Sequence, residues 1–354
     1  ENIESTKQFP QLSDYSETLM KLLGSPNIAS KIWVYGQYDH EVGIRTVTKP
    51  GYDASVLRLD NGKFLSIKID GNPKQCYINP REGAIGCFEE ACRNVVCTGA
   101  KPIGMLDHLQ FGNPNDPEIF WTFLESLKGL TDFAKDFEIP CVGGKVSLYN
   151  ETSDGPIKPT PVIGVIGLID KKPLKIQKIN SGDSLIMVGD TKDELGGSEY
   201  SEYIHKFIGG KCPAVDFSES KKNMNSVLDA IENELIKSAH DCSKGGLSIA
   251  ISELCMINQI GCNISLEKIP GEKLDSDKIL FSESHSRYLI TFENNNLQKL
   301  EETLKKHGVS YSLIGEFTGD SICFSSDSKP IIDLSVDKAQ KTWFNSLKDM
   351  VLHA

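Results

Sequence analysis

Three short segments carry residue types suited to handling phosphate and a divalent cation. Asp70-Gly71-Asn72 closes one apolar run, and Asp107 closes another, ahead of Phe111-Gly112-Asn113-Pro114. Gly143-Gly144-Lys145-Val146-Ser147 follows a third. Carboxylates at strand ends suit Mg2+, which takes one or two of them together with phosphate oxygens and water. Paired glycines let the backbone approach a ligand and turn N–H groups toward an anion. Each segment also has a plain structural reading, since a strand-end Asp caps a helix or makes a turn and a Gly-Gly pair makes a turn. The chain has no GxxxxGK[ST], GxSxG or HExxH motif and no protein-kinase set. Phosphate chemistry here would need another scaffold.

Further candidates lie in the second half. Asp241-Cys242-Ser243-Lys244-Gly245-Gly246-Leu247 opens a helical pattern, either as an anion-binding N-terminus or as a capped turn. Glu283 and Arg287 flank a strand start, and His40 and His108 sit in loop-like stretches where acid–base work or simple hydrogen bonding would suit them. The 10 cysteines form no CxxC pair. Cys92 and Cys97 fall in a helical pattern and Cys141 and Cys255 among apolar neighbours, so they read as buried thiols of a reducing cytoplasm and not as zinc ligands.

Periodicity supplies the elements that must position these residues. Helices are expected over 14–25, with Leu19, Leu22 and Leu23 on one face, and over 82–97, with Ile85, Phe88, Cys92 and Val96 spaced helically and Gly99 as a stop. A third is expected over 117–137, with Phe120, Leu124, Leu127 and Leu130 as its apolar face. Asp60-Asn61-Gly62 joins strands 55–59 and 64–69 as a hairpin. Residues 34–40 read as a loop, and 103–106, 140–142 and 162–169 as strands. Beyond them, strands are expected at 185–188, 287–292, 311–316 and 321–324, and helices at 218–236, 246–257, 296–307 and 337–351, the last packing through Trp343 and Leu347. Tight turns between neighbouring strands point to an α+β organisation instead of a doubly wound parallel sheet. With 354 residues, two domains are expected, 1–170 and 171–354, linked at Asp170-Lys171-Lys172-Pro173. The net charge of -11 argues against nucleic-acid binding. No apolar run reaches membrane-spanning length, and Glu1-Asn2-Ile3-Glu4 lacks a secretory signal, so a cytoplasmic protein is expected.

Taken together, the motifs resemble one family in order and spacing. Ser25-Pro26-Asn27-Ile28-Ala29-Ser30-Lys31, Gln37-Tyr38-Asp39-His40, Phe111-Gly112-Asn113-Pro114, Ser147-Leu148-Tyr149-Asn150-Glu151, Pro159-Thr160-Pro161-Val162-Ile163-Gly164 and Phe281-Ser282-Glu283-Ser284 are similar to phosphoribosylformylglycinamidine synthase, in the second half of its synthetase component. The resemblance implies two α/β domains of the aminoimidazole-ribonucleotide-synthetase-like fold, the first pairing through its sheet with a homologous domain. It implies ATP and Mg2+ as cofactors, and conversion of formylglycinamide ribonucleotide with glutamine-derived ammonia to the amidine, ADP and phosphate. The implied partners are the homologous N-terminal half, a glutaminase subunit and a small bridging subunit. Catalytic groups would lie in that other half. On the matching positions Asp107 and Gly144 would touch ATP and Ser147 the substrate. Asp70, Asn72 and Glu283 are further site candidates read from residue type and place, outside the positions the resemblance carries over.

The family's metal position holds Lys145 in this chain. A +1 and a +2 charge about 4 Å apart repel by roughly 8 kcal/mol at an effective dielectric of about 20. Lys145 therefore either contacts phosphate directly in place of a metal or turns its stem to solvent. The rival readings are a non-catalytic nucleotide-binding or scaffolding lobe with a degenerate pseudo-site, and a homodimeric relative such as aminoimidazole ribonucleotide synthetase.

Overall fold

A computed structural model describes residues 3–5, 7–174 and 178–353. The chain begins with α1 (Tyr15–Leu23) and the single turn α2 (Ile32–Tyr35), followed by β1 (Thr46–Thr48), β2 (Ser55–Arg58), β3 (Phe64–Asp70), α3 (Pro73–Ile78), α4 (Pro80–Cys97), β4 (Lys101–Gln110), α5 (Pro117–Asp136) and β5 (Cys141–Ser147). The short ribbon β6 (Glu151–Thr152) and β7 (Gly155–Pro156) precedes β8 (Thr160–Ile169). The first sheet runs β1-β2-β3-β8-β4-β5. Its β2–β3 hairpin places Ser55 opposite Ile67 and turns at Gly62 with φ 82°, as Asn-Gly predicts. All pairs are antiparallel except β4–β5 at the edge.

The second unit contains β9 (Ser184–Val188), α6 (Phe217–Glu232), β10 (Ser238–Asp241), α7 (Gly246–Asn258), β11 (Cys262–Ser265), α8 (Ser276–Phe281), β12 (Tyr288–Phe292), α9 (Leu297–His307), β13 (Tyr311–Phe317), β14 (Ser321–Ser326), β15 (Lys329–Ser335) and α10 (Val336–Leu352). Its sheet runs β10-β12-β9-β13-β11-β14-β15. The α+β organisation read from the sequence is the one observed.

Helix α4 is the element both units share. Asn79 caps it, its Oδ1 accepting the Glu82 N–H at 3.1 Å, Pro80 opens it, and Gly99 follows it at φ 84°. One side packs on β3 and β8, another on α5, and the rest faces α6 and β10. It is therefore buried all round, and Glu89, Glu90, Arg93 and Asn94 on it are each at most 6% exposed. Buried charges must be paired, so α4 dictates an ionic lattice between the two sheets.

Three expectations need correction. Residues 15–23, expected with the first domain, bury Leu19, Leu22 and Leu23 in the core of the second unit, against α10 and β15. Residues 34–40 are not wholly loop, because α2 runs to Tyr35. The face of α5 is rotated from the expected one, keeping Leu127 and Leu130 but taking Phe123 and Phe133 in place of Phe120 and Leu124. Leu130 and Phe133 are buried, and Gly129 lets α5 approach the start of α4, where a Cβ would stand 2.5 Å from Arg81 O. Phe120 and Leu124 are exposed beside Trp121.

Helices cover one face of the first sheet. Alternation along the strands sends Leu65, Ile67 and Ile69 of β3, Val162, Ile166 and Leu168 of β8 and Leu106 of β4 to the opposite face. These are half-buried or exposed, with Ile69 at 66% and Leu106 at 42%.

Candidate functional site

The expected contact residues fall on the edge pair β4–β5. Asp107 pairs with Gly144, His108 with Lys145 and Gln110 with Ser147. Asp107 was expected at a strand end, but β4 continues to Gln110 because β8 and β5 pair with it on both sides. Gly143 and Gly144, expected as a turn or anion nest, lie within β5. The glycine at 144 has a steric reason, since a Cβ there would stand 2.2 Å from Asp107 Oδ1. The Asp107 carboxylate thus lies across the bare backbone of its neighbour. Burial raises its pKa, against the Lys145 backbone N–H and the nearby His108. Alternation puts Asp107 and Gly144 on one face of the pair and His108, Lys145 and Ser147 on the other, that of Leu106. Lys145 is exposed. Cys141, expected to be buried, is exposed at the start of β5 with Sγ 4.0 Å from Asp107 Oδ2.

Asp70, Asn72 and Glu283 lie elsewhere, at the junction around α4. Asn72 caps α3, its Oδ1 accepting the Gln75 N–H at 3.3 Å. Lys244 Nζ sits between two carboxylates, 3.2 Å from Asp70 Oδ1 and 3.4 Å from Glu90 Oε1. Burial first, and then the charge of Glu90, pushes the Asp70 carboxyl up to about 6. The Glu283 carboxylate accepts the backbone N–H groups of Glu199 and Gly245, each at 2.8 Å. The N-terminal end of α7, a candidate anion site, therefore already holds an internal anion. Lys74 beside it pairs with Glu199 at 2.6 Å. Arg93 pairs with Glu89 and with Asp241 at 3.3 Å, while Arg287 ties down the carbonyls of Ser282 and Ser284. His285 is buried against Gly86, and burial with the nearby Arg93 and Arg287 keeps it neutral, its pKa well below the usual value.

Sequence reading missed one group. Asp53, His240 and Asp241 bring one ligand atom each within 4.8 Å of the others, beside a cavity of ≈ 210 Å³ also lined by Tyr52, Lys68 and Trp343. Both ring nitrogens of His240 are already committed, Nδ1 to Asp53 at 2.9 Å and Nε2 to Glu253 at 3.2 Å. Burial opposes a charged imidazole, but these carboxylates outweigh it and hold the pKa well above its ordinary value. His240 is thus an imidazolium held between Asp53 of the first unit and Glu253 of the second. The adjacent His240-Asp241 was the only sequence signal. His40 packs beside Tyr35 with ring centroids 5.8 Å apart, away from the edge pair's contacts.

Among the described residues, neither the edge pair nor the junction offers Mg2+ a set of free carboxylates: at the edge pair Lys145 and Asp107 project from opposite faces, and at the junction Lys244 Nζ lies between Asp70 and Glu90.

A mixed sheet with helices on one face, joined through a shared helix to a second, mostly antiparallel sheet, defines the class. A family model described as AIR synthase related protein, N-terminal domain, matches residues 51–169, and one described as AIR synthase related protein, C-terminal domain, matches residues 180–325. The chain belongs to the AIR synthase related proteins. Among its relatives is phosphoribosylformylglycinamidine synthase subunit PurL of Thermococcus sibiricus, 40% identical over 355 residues that cover 99% of this chain and 48% of the relative. The chain thus spans about half the length of that relative. Among solved structures, T. maritima PurL complexed with FGAR has a TM-score of 0.76 at 18% identity, covering 92% of this chain and 53% of its own. T. maritima PurL complexed with ATP has a TM-score of 0.71 at 18% identity, covering 91% and 52%. At such identities the likeness establishes the fold.

Proposed function

We propose that the chain is the second half of the synthetase of phosphoribosylformylglycinamidine synthase, completing an ATP and substrate site built mainly by a homologous first half. The observation that carries this reading is the uncovered apolar face of the first sheet, with Lys145 and Ser147 along its rim. A face of that kind needs a partner. The relative is about twice as long as this chain, and in our reading its remaining length is the homologous half that covers the face. In the reaction the amide oxygen of formylglycinamide ribonucleotide takes the γ-phosphoryl group of ATP, releasing ADP. Ammonia then adds to the activated carbon and phosphate leaves, giving the amidine. Here Asp107, an acceptor, meets donors of the nucleotide base or ribose, since a carboxylate repels phosphate. Gly144 keeps that position open. Lys145 supplies a positive point charge toward phosphate, and Ser147 meets the substrate. Any Mg2+ is held by the other half, which also carries the catalytic groups. The glutaminase and small bridging subunits deliver ammonia, and the setting is the cytoplasm.

The test is to assay ammonia-dependent ADP release by this chain alone, by the chain with its first half, and by Asp107→Ala and Ser147→Ala in the assembled enzyme. The chain alone is expected to be inactive and each variant strongly impaired. Turnover by the isolated chain would refute the half-site reading. A second reading, a scaffolding lobe with a closed pseudo-site, is favoured by Lys244 and Glu283 occupying the junction. Unimpaired Asp107→Ala and Ser147→Ala enzymes would select it.

A further inference from the structure

The loop leaving β5 contains an amide with a determined orientation. Asn150 Nδ2 donates to two backbone carbonyls, Phe111 O at 3.0 Å and Ser147 O at 2.9 Å. A carbonyl can only accept, so the nitrogen of this amide must be the atom facing them. The oxygen, Oδ1, then faces the Ser147 hydroxyl at 3.2 Å. An amide oxygen brings no proton, so Ser147 donates its single proton inward.

The surrounding backbone holds this arrangement. The Phe111 N–H donates to Ser147 O at 3.0 Å and the Asn150 N–H to Phe111 O at 3.1 Å. The Tyr149 N–H reaches Gly112 O at 3.0 Å, with Tyr149 at φ 60°, a left-handed conformation that non-glycine residues seldom adopt. Glu151 Oε1 accepts the Asn113 N–H at 2.8 Å. The end of β5 is thereby laced to the loop after β4.

We propose that Asn150 is a positioning residue that makes Ser147 an obligate hydrogen-bond acceptor, so that the substrate group met there is a donor, an amide N–H or sugar hydroxyl, and not a phosphate oxygen. A phosphate oxygen would require the hydroxyl to leave Asn150 Oδ1 and abandon a half-buried acceptor. This rests on the reading of Ser147 as a substrate contact, and it adds the polarity of that contact and the residue that sets it.

The test uses the assembled synthetase with Ser147→Ala, Asn150→Ala, Asn150→Asp and the double alanine variant, following the KM for the ribonucleotide substrate, the KM for ATP and the melting temperature. Ser147→Ala and Asn150→Ala are each expected to raise the substrate KM about tenfold with the ATP KM unchanged. The double variant should be no worse than Ser147→Ala, because the two act through one hydrogen bond. Asn150→Asp sets a second oxygen against the carbonyls of Phe111 and Ser147, so it should lower the melting temperature and leave the substrate KM raised. If Ser147→Ala raises the substrate KM but Asn150→Ala does not, or if the two effects multiply, the positioning role is refuted while the substrate contact stands. An unchanged substrate KM in Ser147→Ala removes the contact itself, and the inference with it.

Discussion

Replacing Lys244 with Met tests how the junction is held. Its ammonium lies 3.2 Å from Asp70 and 3.4 Å from Glu90, and both acids are almost fully buried. At a separation of about 3.3 Å and an effective dielectric of about 20, each attraction is worth roughly 5 kcal/mol, and much of that offsets the cost of burying the charges. Removing the lysine leaves two carboxylates facing each other, and breaking a buried pair in this way costs about 3–5 kcal/mol. The cost depends on pH. With Lys244 present the Asp70 carboxyl is at about 6, above its ordinary value near 3.8. A carboxyl raised by folding binds its proton more tightly in the folded chain. Its contribution therefore favours folding at low pH and is lost as pH rises through about 4 to 6. Without the lysine the folded value moves higher still and the window extends upward. Lys244→Met should thus cost the full amount at pH 8 and roughly half of it at pH 5, where one carboxyl is protonated. Urea unfolding at both pH values, with the m-value checked for constancy, measures this. Adding Asp70→Asn should restore most of the loss at pH 8. Equal costs at the two pH values, or a cost below about 1 kcal/mol, would refute the ion-lattice account.

Other expectations concern His240, the edge pair and the sheet face. His240 gains a raised pKa on folding, so its stabilisation is complete below about pH 6.5 and fades as pH rises through the folded value. His240→Gln should lower stability by about 1–3 kcal/mol at pH 6 and flatten the pH profile of the melting temperature above neutrality. Gly144→Ala would force the Asp107 carboxylate off its neighbour. It should cost only about 1 kcal/mol of stability, because Asp107 can swing toward solvent, yet raise the ATP KM of the assembled enzyme about tenfold. Ile69→Lys, at a side chain 66% exposed, should change the stability of the isolated chain by less than ~0.5 kcal/mol. It should abolish assembly with the first half in sedimentation, and retained assembly would show that the sheet face is not the contact.

Much of the scaffold was legible because it follows from local physics. The Asn61-Gly62 hairpin, the body of α4 with its stop at Gly99 and the leucine face of α1 are each set by residues within a few positions. Strands β10, β11 and β15 were not read. Ser238-Ala239-His240-Asp241 has no β-branched or aromatic residue, and it is a strand because β12 lies beside it. The rotation of α5 likewise depends on where Gly129 meets α4.

For the candidate site, the sequence by itself nominated Asp107, Gly144, Lys145 and Ser147, through the resemblance to one family, as the contacts proposed above. Their spacing could not reveal that Asp107 lies over Gly144 or that Lys145 and Ser147 share a face, because register belongs to the pair of strands and not to either one. Lys244 and Glu283 read equally well as groups awaiting a ligand. Only the tertiary structure decided that they are partners of Asp70, Glu90 and an N-terminal helix end. The physical reason is that a buried charge is assigned by whatever the fold brings within a few ångströms, and those neighbours come from up to 174 residues away in the chain.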